Sequence, residues 1–217
     1  MKQVRHQFLA SDYYASRQDY SRNWKTVDQT LYGLCQSHPW HRNLRSVMAK
    51  IAIIGRTYTT GIERKVSTTG AQGSSISQVA ALFFSQHKKI DKLFARLNRV
   101  SSPLSTLNIP DILTIHGSIL KLLMPLTINH QSARSFVSKY MHFQNPIVPI
   151  YDSVVAGFLP KLVRLRAAQI PTVKYADYEY SKYVYTFAKL YQDAASQRVQ
   201  VSVRFLDYYL TWKKANS

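Results

Sequence analysis

Apolar residues along this chain recur at intervals of three and four, and strand-like alternation is weak throughout. Residues 1–20 are polar and tyrosine-rich and read as a loosely attached arm. After Asn23, the run WKTVDQTLYGLCQ puts Trp24, Val27, Leu31 and Leu34 at helical spacing and ends near Ser37-His38-Pro39. A second helix is predicted over 44–54, with Gly55 as its stop. The Gly/Ser/Thr-rich stretch 67–75 reads as a surface loop. Helical spacing returns over 77–98. Asp111 is placed to cap a helix that runs to Leu123, and Pro125 ends it. A connector at 126–131 leads to a helix over 132–143, then a strap containing Pro146 and Pro149, then helices over 152–166, 176–196 and 203–213. The pattern predicts a mainly α protein of eight helices. It is a single domain over 1–217, drawn as a two-lobed helical bundle with a cleft between the lobes.

Composition narrows the partner more than the fold. The 217 residues include 29 Lys and Arg against 11 Asp and Glu, a formal net charge of +18. Such an excess suits a phosphate backbone or another polyanion. At 46% hydrophobic and 18% charged residues, the chain is too apolar to be a disordered basic tail. Cys35 is the only cysteine, which excludes an intrachain disulfide or a cysteine metal cluster and fits a reducing compartment. The first residues lack the apolar core of a signal peptide, and no stretch reads as a membrane span, so the expectation is a cytoplasmic protein.

With acids so scarce, the segment 132–153, SARSFVSKYMHFQNPIVPIYDS, stands out. It reads as a basic aromatic helix, an Asn-Pro break and an apolar strap that delivers Asp152 between Tyr151 and Ser153. A carboxylate fixed in a partly desolvated pocket can stabilise the positive charge that develops on a sugar when a glycosidic bond breaks, and can orient a water. The plainer role for Asp152 is a helix N-cap, and the two roles are compatible.

Over residues 116–157 the chain resembles the helix-hairpin-helix DNA glycosylase superfamily. In that resemblance LTINHQ is the hairpin, SARSFVSKYMHF its second helix and VPIYDS the approach to the catalytic Asp, so that 126–157 forms hairpin-like connector, helix and catalytic strap. The resemblance implies a DNA N-glycosylase that extrudes a damaged or modified base from duplex DNA and hydrolyses its N-glycosidic bond with Asp152, in base excision repair or anti-phage defence. The hairpin lacks the family's glycines, and Asn129 is the residue there that tolerates a left-handed turn. The strand-cleaving members' Lys at the hairpin end is also missing. Lys139 stands too close to Asp152 to match it, and Arg134 cannot form a Schiff base. The implied enzyme is therefore monofunctional, without lyase activity. The further expectation is a monomer that uses no cofactor, no metal and no membrane.

The segment IIGRTYTTGIERKV is expected to line the pocket opposite Asp152. Tyr58 would stack on an extruded base and Glu63, one of two glutamates, would hydrogen-bond it, with Arg56 alongside. Tyr151 and His142 complete the expected pocket. Arg134, Lys139, Asn129, Ser132, Arg64 and Lys65 are the expected DNA-binding residues. Lys88, Lys92, Arg96 and Arg99 share a helical face that suits a duplex. The alternative is a non-catalytic helical protein that binds DNA or RNA. A metal-dependent nuclease is a third class, against which the scattered carboxylates argue.

Overall fold

The computed structural model describes residues 8–67, 73–130 and 132–217. Among these, the chain is mainly helical and forms no sheet; its single bridge pairs Val66 with Thr127. Eleven α-helices are formed among the described residues: α1 (Ala10–Asn23), α2 (Lys25–Ser37), α3 (Leu44–Thr57), α4 (Ile62–Lys65), α5 (Ser75–Ser85), α6 (His87–Leu97), α7 (Ile109–Leu123), α8 (Arg134–Gln144), α9 (Ser153–Leu162), α10 (Tyr178–Ser196) and α11 (Val203–Ala215).

The organising element is α8. Every residue from Phe136 to Phe143 is buried, because α2, α3 and α7 pack around it. A helix enclosed on all sides must satisfy its polar side chains internally. Ser138 Oγ accepts from the Tyr151 amide at 2.9 Å, and Tyr140 Oη lies 2.9 Å from His41 Nε2. His142 Nδ1 donates to the Val148 carbonyl at 2.7 Å, and its Nε2 accepts from Tyr32 at 2.6 Å. The apolar members join one continuous core that runs from Phe8 to Leu210.

Several predicted boundaries move. Residues 10–20 are no arm: they form most of α1, which packs along α11 and buries Tyr13 against Phe8 and Tyr209. Gly55 does not stop α3. It lies inside the helix, where a Cβ would come within 3.0 Å of Ile76 and 3.1 Å of Ile62, so the glycine allows α5 to approach. The single helix expected over 77–98 is broken at Gln86 into α5 and α6. Asp111 caps nothing; α7 begins two residues earlier, and Asp111 in its first turn pairs with Arg96. Residues 68–72 of the expected loop lie outside the described residues.

The stretch Ile109–Leu126 is long and apolar enough to cross a membrane by length and composition, which corrects the expectation that none is. Its buried residues, among them Ile112, Leu113, Ile115 and Ile119, pack in the core against α6, α8 and α10.

Candidate functional site

α8 is preceded by two short 3₁₀ turns, Met124–Leu126 and Ile128–His130. Asn129 and His130 both have left-handed φ, 50° and 53°. The expected tolerance of Asn129 for that region is thus used, and it reverses the chain between α7 and α8. After α8, Asn145 donates to the carbonyls of Leu97 and Val100, which anchors the strap to the end of α6. The strap then delivers Tyr151 and Asp152 to the start of α9.

Asp152 caps that helix. Its Oδ1 accepts from the amides of Val154 at 2.9 Å and Val155 at 3.3 Å. Its Oδ2 lies 3.9 Å from Lys139 Nζ, and the side chain keeps 36% of its exposure. Oδ1 is therefore held by the backbone, and the partly exposed residue lines a cleft of about 450 Å³.

Three walls meet there. The first is the segment after α3, contributing Thr59, Thr60, Gly61, Arg64 and Lys65. Gly61 has φ +69°, a left-handed turn that aims α4 and its cations at the cleft. The second wall is the entry to α8, with Ser132, Arg134 and Ser135. The third is Tyr151, Asp152 and Ser153. Ser132 Oγ is buried without a hydrogen-bond partner among the described residues.

The cations are held with different firmness. Arg64 is exposed. Lys65 Nζ donates to the Ser132 carbonyl at 2.6 Å, which ties the first wall to the second. Burial draws its ammonium below the ordinary lysine range, and the charges of Arg134 and Arg64 add to this. Arg134 grips both oxygens of Asp177, at 2.6 and 2.8 Å, and stacks 5.0 Å over the Tyr151 ring. Lys139 is sealed behind the cleft, donating to the Tyr58 carbonyl at 2.9 Å and Ser135 Oγ at 3.1 Å. Burial lowers its pKa, opposed by the negative charges of Asp152 and Asp207.

Of the expected pocket residues, Tyr151 lines the cleft beside Asp152. Tyr58 does not: it is buried, and its hydroxyl donates to Asp28. That carboxylate also takes Arg204 Nε at 2.5 Å and Tyr20 at 2.6 Å, so a buried charge that needs hydrogen-bond partners holds the tyrosine inward. His142 is likewise inside the core, between Val148 and Tyr32. Arg56 and Glu63 pair with each other at 3.2 Å on the outer surface and do not line the cleft. Among the expected DNA-binding residues, Arg64, Lys65, Ser132 and Arg134 line the cleft, whereas Lys139 and Asn129 do not.

Within the segment IIGRTYTTGIERKV, the expected Arg64 and Lys65 line the cleft, whereas the expected Arg56, Tyr58 and Glu63 do not. Thr59, Thr60 and Gly61 carried only one signal, the glycine. Asp177, which immobilises Arg134, and Asp207, whose field reaches Lys139, lie far along the chain and carried none. Among the described residues, no group of three His, Cys, Asp or Glu side chains converges as metal ligands. Comparison of the chain with family models, with curated proteins and with solved structures finds no match in any of the three.

Proposed function

We propose that the protein is a DNA N-glycosylase of the helix-hairpin-helix kind, divergent and monofunctional, which hydrolyses the bond between a modified base and its sugar with Asp152. The observation that carries this reading is the state of that carboxylate. Oδ1 is fixed by two amides, the side chain stays partly exposed at the edge of a cleft, and the neighbouring walls are cations and hydroxyls. A fixed anion beside a sugar that is losing its base stabilises the oxocarbenium-like charge, and Oδ2 can orient the attacking water. Arg64 and Lys65 suit the flanking phosphates, and Tyr151 suits the face of an extruded base.

The test is incubation with duplexes bearing varied modified bases, followed by alkali. The expected product is an alkali-labile site that Asp152→Asn no longer makes while it still binds the duplex. Normal excision by Asp152→Asn would end the proposal.

A second reading is a helical protein that binds nucleic acid without catalysis. The capping bonds of Asp152 favour it, since they account for that residue structurally. So does the withdrawal of Tyr58, Glu63 and His142 from the cleft. Retarded but alkali-stable duplexes across the whole panel support this reading instead.

A further inference from the structure

Several of the acidic residues of this chain are ion-paired on elements other than α6. Asp28 and Asp207 face Arg204, Asp177 faces Arg134, and Asp12 faces Lys213. On α6 itself, Asp91 is turned into the core, where it accepts from His41 Nδ1 at 2.7 Å. What remains on the outer face is a row of exposed cations: Lys88, Lys89, Lys92, Arg96 and, just past the helix end, Arg99. Successive members three or four residues apart lie on one side of the helix, over roughly 16 Å of axis. Among the described residues, the one carboxylate ion-paired to this row is Asp111, through Arg96.

Arg96 and Arg99 stand between two surface grooves. One, of about 350 Å³, runs along Lys89, Lys92 and Leu93. The other, of about 600 Å³, is closed by the serines of the loop before α7 and by Leu107, which is 92% exposed. This surface shares no residue with the Asp152 cleft. The two lie towards opposite ends of α7. Asp111 meets the row in the first turn, whereas Thr127, just past the far end, bridges to Val66 behind α4. A helix of that length separates them by roughly 22 Å.

We infer that the exposed face of α6 is a second nucleic-acid contact, which binds the phosphate backbone of duplex DNA independently of base sequence and of the cleft. The charge pattern fits a polyanion that presents one charge per roughly 1.7 Å of its axis. A lipid surface fits less well. A helix that lies in a membrane interface inserts its apolar side, but here Ile90, Phe94 and Leu97 are already buried in the core. The inference goes beyond the proposed excision and does not need it, because this face would hold a duplex even if Asp152 performed no chemistry.

The test compares two sets of substitutions of equal charge in the full chain. The first is Lys88→Gln, Lys89→Gln, Lys92→Gln and Arg99→Gln together. The control is Arg22→Gln, Lys25→Gln, Arg45→Gln and Lys214→Gln together, all exposed positions on other helices. Affinity for an unmodified duplex is measured by fluorescence anisotropy over a range of salt. The α6 set is expected to weaken binding by about tenfold or more, and to lower the salt slope by roughly 0.9 for each phosphate that is no longer neutralised. The control set is expected to change both far less. Equal losses from the two sets would overturn the inference, since net charge alone would then explain them. So would unchanged duplex binding by the α6 set, or a loss confined to anionic vesicles assayed in parallel. Asp152→Asn in the same titration keeps the α6 contribution whether or not the protein excises bases, so the two proposals fail separately.

Discussion

Lys139 Nζ lies 3.9 Å from Asp152 Oδ2, yet the two residues are placed in opposite ways. The lysine is sealed inside the most enclosed helix of the fold, while the aspartate opens onto the cleft. Lys139 is held by the Tyr58 carbonyl and by Ser135, and Asp207 lies close enough for its charge to be felt. Its ammonium thus acts as a fixed positive charge behind the carboxylate and has no route to a phosphate in solution.

Lys139→Met removes the ammonium that faces Oδ2 and helps to hold the carboxylate in place, so excision is expected to fall by about tenfold or more, a barrier change of roughly 1.4 kcal/mol. Affinity for an unmodified duplex should stay within about twofold. Single-turnover excision and anisotropy measured on one preparation separate the two effects. Lost affinity with excision intact would make Lys139 a backbone-binding residue after all.

The two roles of Asp152 separate by substitution. Serine keeps a capping oxygen for the first turn of α9, and alanine does not. Asp152→Ser should unfold at nearly the same urea concentration as the parent, whereas Asp152→Ala should lose about 1 kcal/mol. Both should be inactive on a modified duplex. An active serine variant would reduce Asp152 to a cap.

Arg204 is the counter-charge of Asp28 and Asp207, reaching them at 2.5 and 2.8 Å. Arg204→Met leaves two buried carboxylates without it, and a loss of roughly 3–5 kcal/mol is expected from chemical denaturation. Adding Asp28→Asn and Asp207→Asn should recover part of that loss. If the single variant is as stable as the parent, the buried network contributes nothing.

Acid should destabilise the fold. Burial lowers His41 and His142 to about 4 from the ordinary 6.5, and His116 moves the same way. The unfolded chain protonates these rings near pH 6.5 and the folded protein only near 4, so their contribution is present above 6.5 and is lost as pH falls between the two. Asp207 opposes them. Burial raises it to about 6 from 3.8, so its contribution is full below 3.8 and is lost as pH rises through 6. Three groups outweigh one, and the Tm should drop between pH 7 and pH 4.5. His142→Gln should flatten that dependence by about one proton. A Tm that rises on acidification would contradict the assignment of neutral buried rings.

Helix positions were legible wherever one face was apolar and the other polar. The predictions over 44–54, 132–143, 176–196 and 203–213 each overlap an observed helix, because the period of three and four reports which side meets the core. Gly55 misled because a glycine inside a helix can serve the approach of a neighbour as well as a stop. Residues 10–20 misled because their tyrosines count as polar, although Tyr13 and Tyr20 bury their rings and place their hydroxyls on Gln200 and Asp28.

The candidate site divides in the same way. The local sequence determined the backbone route: the turn at Asn129, the break after α8, the cap at Asp152 and the turn at Gly61 each depend on residues within a few positions. Which side chains face the cleft was decided by partners far away in the chain. Asp28 and Arg204 draw Tyr58 inward from distant points in the sequence. Asp177 pins Arg134, and the enclosure of α8 seals Lys139 and His142. A buried charge or ring takes whichever partner the packing offers, and packing is a property of the assembled helices. The sequence by itself determined a basic, mainly helical protein with a carboxylate at the head of a helix; only the tertiary structure decided that this carboxylate borders a cleft and that a buried lysine stands behind it.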